Sequence, residues 1–264
     1  MESECALEVA VEIVKDVGKI LRAGMHAGID KKARYKSHPR DVVTIFDRRA
    51  EEMIVTAINK AFPDHGILSE EGTAKEGTSS YRWVIDPLDG TNNFLSGYPQ
   101  FAISLALMRG AEAQVACIYD PLREEMFTAI CGEGAFLNGE PKHVSAQGSL
   151  DGALIGAGFS SRPERALITH AVLKHLIPHA RAIRAAGSAC LDLAYVAAGR
   201  LDATWYVSLS PWDVAAGDLL IREAGGRVSN LEGAPLTDPE AGILATNGRI
   251  HVEMLALVGK KRSL

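Results

Sequence analysis

The sequence predicts an α+β fold in which two N-terminal helices cover a meandering antiparallel sheet and an α/β C-terminal half follows. Three observations carry that expectation. Residues 6–25 and 42–58 repeat apolar side chains at helical spacing, residues 101–130 hold three apolar runs split by turn formers, and from residue 153 short apolar runs alternate with helical patterns. With 264 residues, 47% of them hydrophobic, the chain can bury a sizeable core as one large domain or two closely packed halves.

Ala6, Leu7, Val9, Ala10, Ile13, Val14, Val17, Ile20, Leu21 and Met25 form the apolar face of the first helix, which Gly24 and Gly28 end. Asp30 to Arg40 is basic and almost without apolar residues, and reads as a solvated, mobile loop. Val42-Val43-Thr44-Ile45-Phe46-Asp47 opens a second helix, with Thr44 a candidate cap and Phe62-Pro63 the stop. Gly66-Ile67-Leu68 is a short strand leading to Ser69-Glu70-Glu71-Gly72. Tyr81 to Ile85 is a buried strand that Asp86-Pro87 stops, because proline removes a ladder donor. Phe101–Met108, Gln114–Tyr119 and Met126–Ile130, split by Gly110 and Asp120-Pro121, are antiparallel hairpin strands. Gln147-Gly148-Ser149 is small, polar and aperiodic, which makes it the expected seam between a 1–147 half and a 148–264 half. Beyond it come strand 153–157, helix 163–176, strand 180–184, helix 188–198, strand 201–207, helix 212–224, strands at Val228 and 243–245, and a closing helix from about Arg249.

Net charge of −5 and a pI near 5.9 provide no basic field for nucleic acid or an anionic membrane. The four cysteines, Cys5, Cys117, Cys131 and Cys190, show no CxxC spacing, lie mostly in apolar runs and read as reduced core residues. An acidic start leading directly into an amphipathic pattern is unlike a signal peptide, and no apolar run approaches the roughly 20 residues that span a bilayer. A cytoplasmic location is the default expectation.

The chemistry concentrates at Trp83-Val84-Ile85-Asp86-Pro87-Leu88-Asp89-Gly90-Thr91-Asn92-Asn93-Phe94, where two carboxylates and a hydroxyl follow an apolar run and Gly90 permits unusual backbone geometry. Clustered oxygen ligands favour a hard divalent cation such as magnesium over zinc, and without a cation such acids repel. The alternative is an ordinary Asp-Pro, Asp-Gly surface turn. Glu70, at a strand end before a breaker, repeats the same logic. Asp213 falls near a helix start after Ser210-Pro211-Trp212, as a helix cap or as part of an anion site. Asp47, alone on its helix, reads as a solvated face residue.

The 83–94 stretch resembles the first signature of the inositol monophosphatase family in every position of its pattern, and Trp212-Asp213-Val214-Ala215-Ala216-Gly217, running on to Glu223-Ala224-Gly225-Gly226, resembles the second. The resemblance extends over nearly the whole chain. It implies a layered αβαβα sandwich of the sugar-phosphatase type and magnesium-dependent hydrolysis of a small phosphomonoester, a phosphorylated polyol or sugar, by metal-activated water. It implies two or three Mg2+ held by Glu70, Asp86, the Leu88 carbonyl, Asp89 and Asp213. Glu70 and Thr91, the latter polarised by Asp47, would orient or deprotonate the attacking water. Asp89, Gly90, Thr91, Gly187, Ser188, Ala189 and Asp213 would contact substrate, with Phe159-Ser160-Ser161-Arg162 nearby. Lys36-Ser37 resembles the family's flexible lid. Lithium sensitivity and a homodimer are further family expectations.

One departure bears on the substrate. Seven residues before Asp213, where many inositol monophosphatases carry a glutamate that bonds inositol hydroxyls, this chain has Tyr206. Polyol recognition should therefore change while the metal chemistry survives, which keeps histidinol phosphate, fructose 1,6-bisphosphate, nucleotide 3'-phosphates and NADP open as substrates. Trp205 and Tyr206 suit a larger or flatter molecule, with core packing the alternative for Trp205. Some bacterial relatives also act as accessory proteins binding transcription or ribosome components, which sets a non-catalytic role beside the enzymatic one. The eight histidines lack zinc-type spacing, and GxSxG, Walker-type and GxGxxG motifs are absent from the sequence.

Overall fold

The computed structural model describes residues 2–26, 34–35, 42–160 and 162–259. In chain order the elements are α1 (Glu2–His26), β1 (Arg34–Tyr35), β2 (Val42–Val43), α2 (Ile45–Ala61), β3 (Gly66–Ser69), β4 (Ala74–Lys75), β5 (Tyr81–Asp89), α3 (Thr91–Ser96), β6 (Ala102–Arg109), β7 (Glu112–Asp120), β8 (Glu125–Ile130), β9 (Gly134–Leu137) and β10 (Glu140–Lys142). The second part continues with β11 (Leu154–Ala157), α4 (Pro163–Leu176), β12 (Ala182–Arg184), α5 (Ala189–Ala197), β13 (Ala203–Tyr206), α6 (Pro211–Glu223), β14 (Arg227–Ser229), β15 (Ile243–Thr246) and α7 (His251–Val258).

Strands β3 to β10 form one eight-stranded sheet in the order β10-β9-β8-β7-β6-β5-β3-β4. Its meander is antiparallel as the hairpin pattern predicts, but β3 pairs with β5 in parallel, Ser69 opposite Ile85, so the sheet is mixed. The parallel pair brings the ends of both strands to the same edge, and with them Glu70 and Asp86. A second sheet has the order β12-β11-β13-β15-β14, parallel through β12, β11 and β13 and antiparallel through β15.

Side-chain alternation along the strands produces the layers. Trp83 and Ile85 of β5 join Val14, Val17, Ile54 and Ile58 in a core beneath α1 and α2, whereas Val84 between them joins Leu193 and Leu220 of α5 and α6. On the second sheet Tyr206, Ile243 and Ala245 face the same α5 and α6 layer. Ala203, Trp205 and Leu244 face Val172, Leu176, Met254 and Val258 of α4 and α7. The stack is αβαβα, with α5 and α6 between the sheets, and α5 is accordingly buried almost all round.

Local differences from the sequence reading have physical causes. Val42-Val43 does not open α2; it pairs antiparallel with Arg34–Tyr35, and Thr44 then caps the helix in a reciprocal box with Asp47. Strand β5 does not stop at Asp86-Pro87 but runs to Asp89 through a bulge. Of the cysteines, Cys117 and Cys190 are buried as predicted, while Cys5 and Cys131 are exposed; all four are free thiols. Trp205 packs wholly in the core. The proposed lid at Lys36-Ser37 lies outside the described residues. Among the described residues no helix is long and apolar enough to cross a membrane.

Candidate active site

The bulge in β5 is what makes Asp86 and Asp89 neighbours. In an unbroken strand residues three apart point to opposite faces. Here Asp86 lies opposite Ser104 and Asp89 opposite Ala102, so β5 spends one residue more than β6 over that interval. The extra residue turns both carboxylates to one side, and the prolyl nitrogen of Pro87, which has no hydrogen to donate, sits where the ladder is interrupted. One carboxylate oxygen of each, together with the Cys190 sulfur, fall within 4.8 Å of one another. Asp86 Oδ1 also accepts the Leu88 N–H at 3.0 Å, which fixes the turn.

Glu70 reaches the same place from the end of β3, held by its N–H to the Ile85 carbonyl at 3.2 Å. Asp213 arrives from the first turn of α6, where it forms a capping box with Ser210 and accepts the Ser210 N–H at 2.7 Å. Asp89 receives the N-terminus of α5: its Oδ2 accepts the Ser188 hydroxyl and the Cys190 N–H at 2.9 Å, and its Oδ1 the Ala189 N–H at 3.3 Å. Glu70, Asp89 and Asp213 line one cavity of about 420 Å³, shared with Gly187, Ser188 and Ala189, with Phe159, Ser160 and Arg162, and with Tyr206. Ser161 lies outside the described residues.

Burial pushes the Asp86 carboxyl well above the usual carboxylate range, and the charges of Glu70, Asp89 and Asp213 push the same way, as does a hydrogen bond with Glu70. Burial raises Asp89 to about 6, against the opposing hydrogen bonds from Ser188 and the α5 amides. These acids are thus held at a cost that a bound cation would relieve. The donor set, carboxylate oxygens with the Leu88 carbonyl close by, suits a hard divalent ion. Residues at this site fit magnesium.

Thr91 begins α3, and α3 is anchored by Phe94, whose buried ring packs edge-on against Phe46 of α2 and against Phe101, each at 5.3 Å. That contact sets Thr91 over α2, where its hydroxyl donates to Asp47 Oδ1 at 2.9 Å and lies 3.1 Å from the Leu88 carbonyl. Asp47 is therefore not the solvated residue its isolation suggests; it is 1% exposed, and burial raises its pKa. Gly90 is left-handed with φ 92°, and a Cβ there would lie 2.9 Å from the Gln100 carbonyl, so the turn requires glycine.

Two residues escaped the sequence reading. The Asn93 amide donates to the carbonyls of Gln100 at 2.7 Å and Ala186 at 2.8 Å, tying the 83–94 turn to the Gly187 loop. Asp192, a lone acid in an apolar helix, accepts the Tyr206 hydroxyl at 2.7 Å beneath the cavity wall. The polar interruption in Cys190-Leu191-Asp192-Leu193 was the only available signal.

Alternating helix and sheet layers, with a carboxylate-lined cleft where β5 meets the starts of α5 and α6, define a phosphatase-type layered protein. The chain belongs to the inositol monophosphatase family, whose profile matches residues 2–263. It is 42% identical over 258 residues to Nus factor SuhB of Pseudomonas aeruginosa, a match covering 96% of this chain and 95% of that protein. Among solved structures it resembles the extragenic suppressor protein suhB from Bartonella henselae, with a TM-score of 0.92, 37% identity and coverage of 97% and 98% of the two chains. It also resembles the IMPase of Thermotoga maritima, with a TM-score of 0.88, 36% identity and coverage of 97% of each chain.

Proposed function

We propose that the protein hydrolyses a small phosphomonoester with magnesium at the Glu70, Asp86, Asp89 and Asp213 cleft. The observation that carries the reading is the convergence of Glu70, Asp89 and Asp213, from β3, β5 and α6, on a single cavity, with Asp86 buried beside Asp89 and the carboxyls of that aspartate pair raised by burial and by the neighbouring acids. Family membership supports it.

In this reading Glu70, Asp86, the Leu88 carbonyl, Asp89 and Asp213 hold the cations, which when bound supply charge neutralisation and a more acidic water. Thr91 orients the attacking water through its hydroxyl, and Asp47, as acceptor of that hydroxyl's proton, keeps an oxygen lone pair of Thr91 aimed outward. Glu70, beside Asp86, takes the water's proton. The N–H groups of Gly90 and Thr91, at the start of α3, donate to phosphate oxygens. Gly187, Ser188 and Ala189 contact the remainder of the substrate, with Asp89 and Asp213 binding where cation and substrate meet. No covalent nucleophile is needed. Inhibition by lithium, a homodimer, a cytoplasmic location and a division of the chain at residues 147 and 148 belong to the same reading.

Phosphate release from a panel of inositol phosphates, histidinol phosphate, fructose 1,6-bisphosphate and NADP, with and without magnesium, tests it. Magnesium-dependent turnover that Asp89→Asn abolishes is the expected result; release that is indifferent to magnesium or survives in Asp89→Asn defeats the assignment. The relatives named Nus factor SuhB support a second role beside catalysis, as an accessory factor. Co-purification with RNA polymerase, measured alongside phosphate release, tests that role; no retention above a control protein would remove it.

A further inference from the structure

We infer that the cavity selects phosphomonoesters that carry a second anionic group, held by Arg162 and Arg165; the inference rests on the phosphatase reading and adds a substrate class to it. Both arginines line the same cavity as Glu70, Asp89 and Asp213 but come from the other sheet, on the segment that leaves β11 and starts α4. Arg165 is half-buried, and its guanidinium donates to the Ser208 hydroxyl. A guanidinium carries five donors, so one hydroxyl leaves most of them uncommitted. Among the described residues neither arginine forms an ion pair, although Glu240 lines the same cavity.

A partly desolvated cation without a carboxylate partner is costly unless a ligand completes it, and the planar fork of arginine matches phosphate or carboxylate. The acidic end of the cavity takes cations and the scissile phosphate, so it does not consume the arginine charge. A neutral polyol gains little at this wall. The Tyr206 hydroxyl is already donated to Asp192, and of the carboxylates lining the cavity Glu70, Asp89 and Asp213 are the proposed cation ligands and Glu240 is exposed. The free volume of about 420 Å³ accommodates more than a phosphate and a small ring.

Matched substrates isolate the second anion: fructose 1,6-bisphosphate against fructose 1-phosphate, and adenosine 3',5'-bisphosphate against adenosine 3'-phosphate, each with magnesium. The expected result is a kcat/KM about tenfold or more higher for the bisphosphate in at least one pair, expressed mainly in KM and weakened by added salt. Arg162→Ala and Arg165→Ala each reduce that ratio, the double variant brings it close to one, and Arg165→Lys retains part of it. A ratio near one in both pairs for the natural protein, or a ratio unchanged in the double variant, overturns the inference. Should none of these compounds be hydrolysed, the phosphatase reading is judged separately, by the panel with inositol phosphates, histidinol phosphate and NADP. Calorimetric titration of the same pairs then reads the same ratio in Kd, with the same two outcomes.

Discussion

The hydroxyl of Tyr206 donates to Asp192 Oδ2 at 2.7 Å, and both side chains are buried between α5 and the second sheet. Burial lifts the Asp192 carboxyl to about 7, and the tyrosine bond holds it lower than burial alone would. Tyr206→Phe should cost about 1–2 kcal/mol at about pH 8, where Asp192 is ionised and left with a lost donor, and less at about pH 5.5, where it is protonated. Tyr206→Glu should cost more at the higher pH, because two carboxylates then share one dry site. Urea titrations at both pH values check this, and pH-independent losses would show that the bond is not what sustains the pair.

The tyrosine ring occupies space that only a glycine leaves open. A Cβ built on Gly158 would lie 1.9 Å from a Tyr206 ring carbon. Gly158→Ala is therefore expected to displace Tyr206 and to destabilise the protein by about 1–3 kcal/mol, the usual range for overpacking. Combined with Tyr206→Ala, which removes the ring, the alanine should cost little beyond the tyrosine loss itself. Additive losses in the double variant would mean that the two residues do not compete for one space.

Thr91→Val removes a hydroxyl while keeping the side chain's shape, and Thr91→Ser keeps the hydroxyl. If the hydroxyl positions the attacking water, valine should lower kcat by about 10²–10⁴ and serine by far less, while valine also costs about 1–2 kcal/mol of stability because buried Asp47 loses a donor. Asp47→Asn is a less discriminating test, since Asp47 Oδ2 also accepts the Thr44 N–H at 2.8 Å and caps α2. A valine variant with full turnover would remove Thr91 from the mechanism.

What could be read from the sequence was whatever local pattern dictates. Pro163–Leu176 appears as a helix over the predicted span, because proline at its first turn and the Ile177-Pro178 that follows mark both ends. Asp86, Asp89 and Asp213 stood out through the two signature stretches, and Glu70 through its place at a strand end before a breaker. The bulge was not: whether Pro87 ends a strand or sits within one depends on how Ser104 and Ala102 register opposite it, and that lies outside the stretch itself. The parallel pairing of β3 with β5 and the pairing of Val42–Val43 with Arg34–Tyr35 were hidden for the same reason. Asn93 and Asp192 acquire meaning only from partners brought up by tertiary folding, the Ala186 carbonyl for one and the Tyr206 hydroxyl for the other.

Metal and proton should compete for the cleft. Burial raises Asp89 to about 6 and pushes Asp86 well above the usual carboxylate range, against about 3.9 for an aspartate in an unfolded chain. The folded, metal-free protein therefore holds protons that the unfolded chain has released. The stability these acids contribute is present below about pH 4 and is lost as pH rises through their folded values, for Asp89 by at most roughly 3 kcal/mol. Asp192 acts in the same direction up to about 7. His251 acts oppositely: burial presses it down to about 4, between Ser229 at 3.0 Å and Thr246 at 2.9 Å, so its share grows as pH rises toward 6.5. A comparison with and without magnesium at each pH largely cancels His251, which stands apart from the proposed ligands, whereas Asp192 feels the charge of Asp89 and reports on the same cleft. Magnesium should then add little to the thermal midpoint at about pH 5 and on the order of 5 °C at about pH 7.5, and Asp89→Asn should lose most of that increment. A magnesium increment equal at both pH values, or intact in Asp89→Asn, would place the cation somewhere other than this cleft.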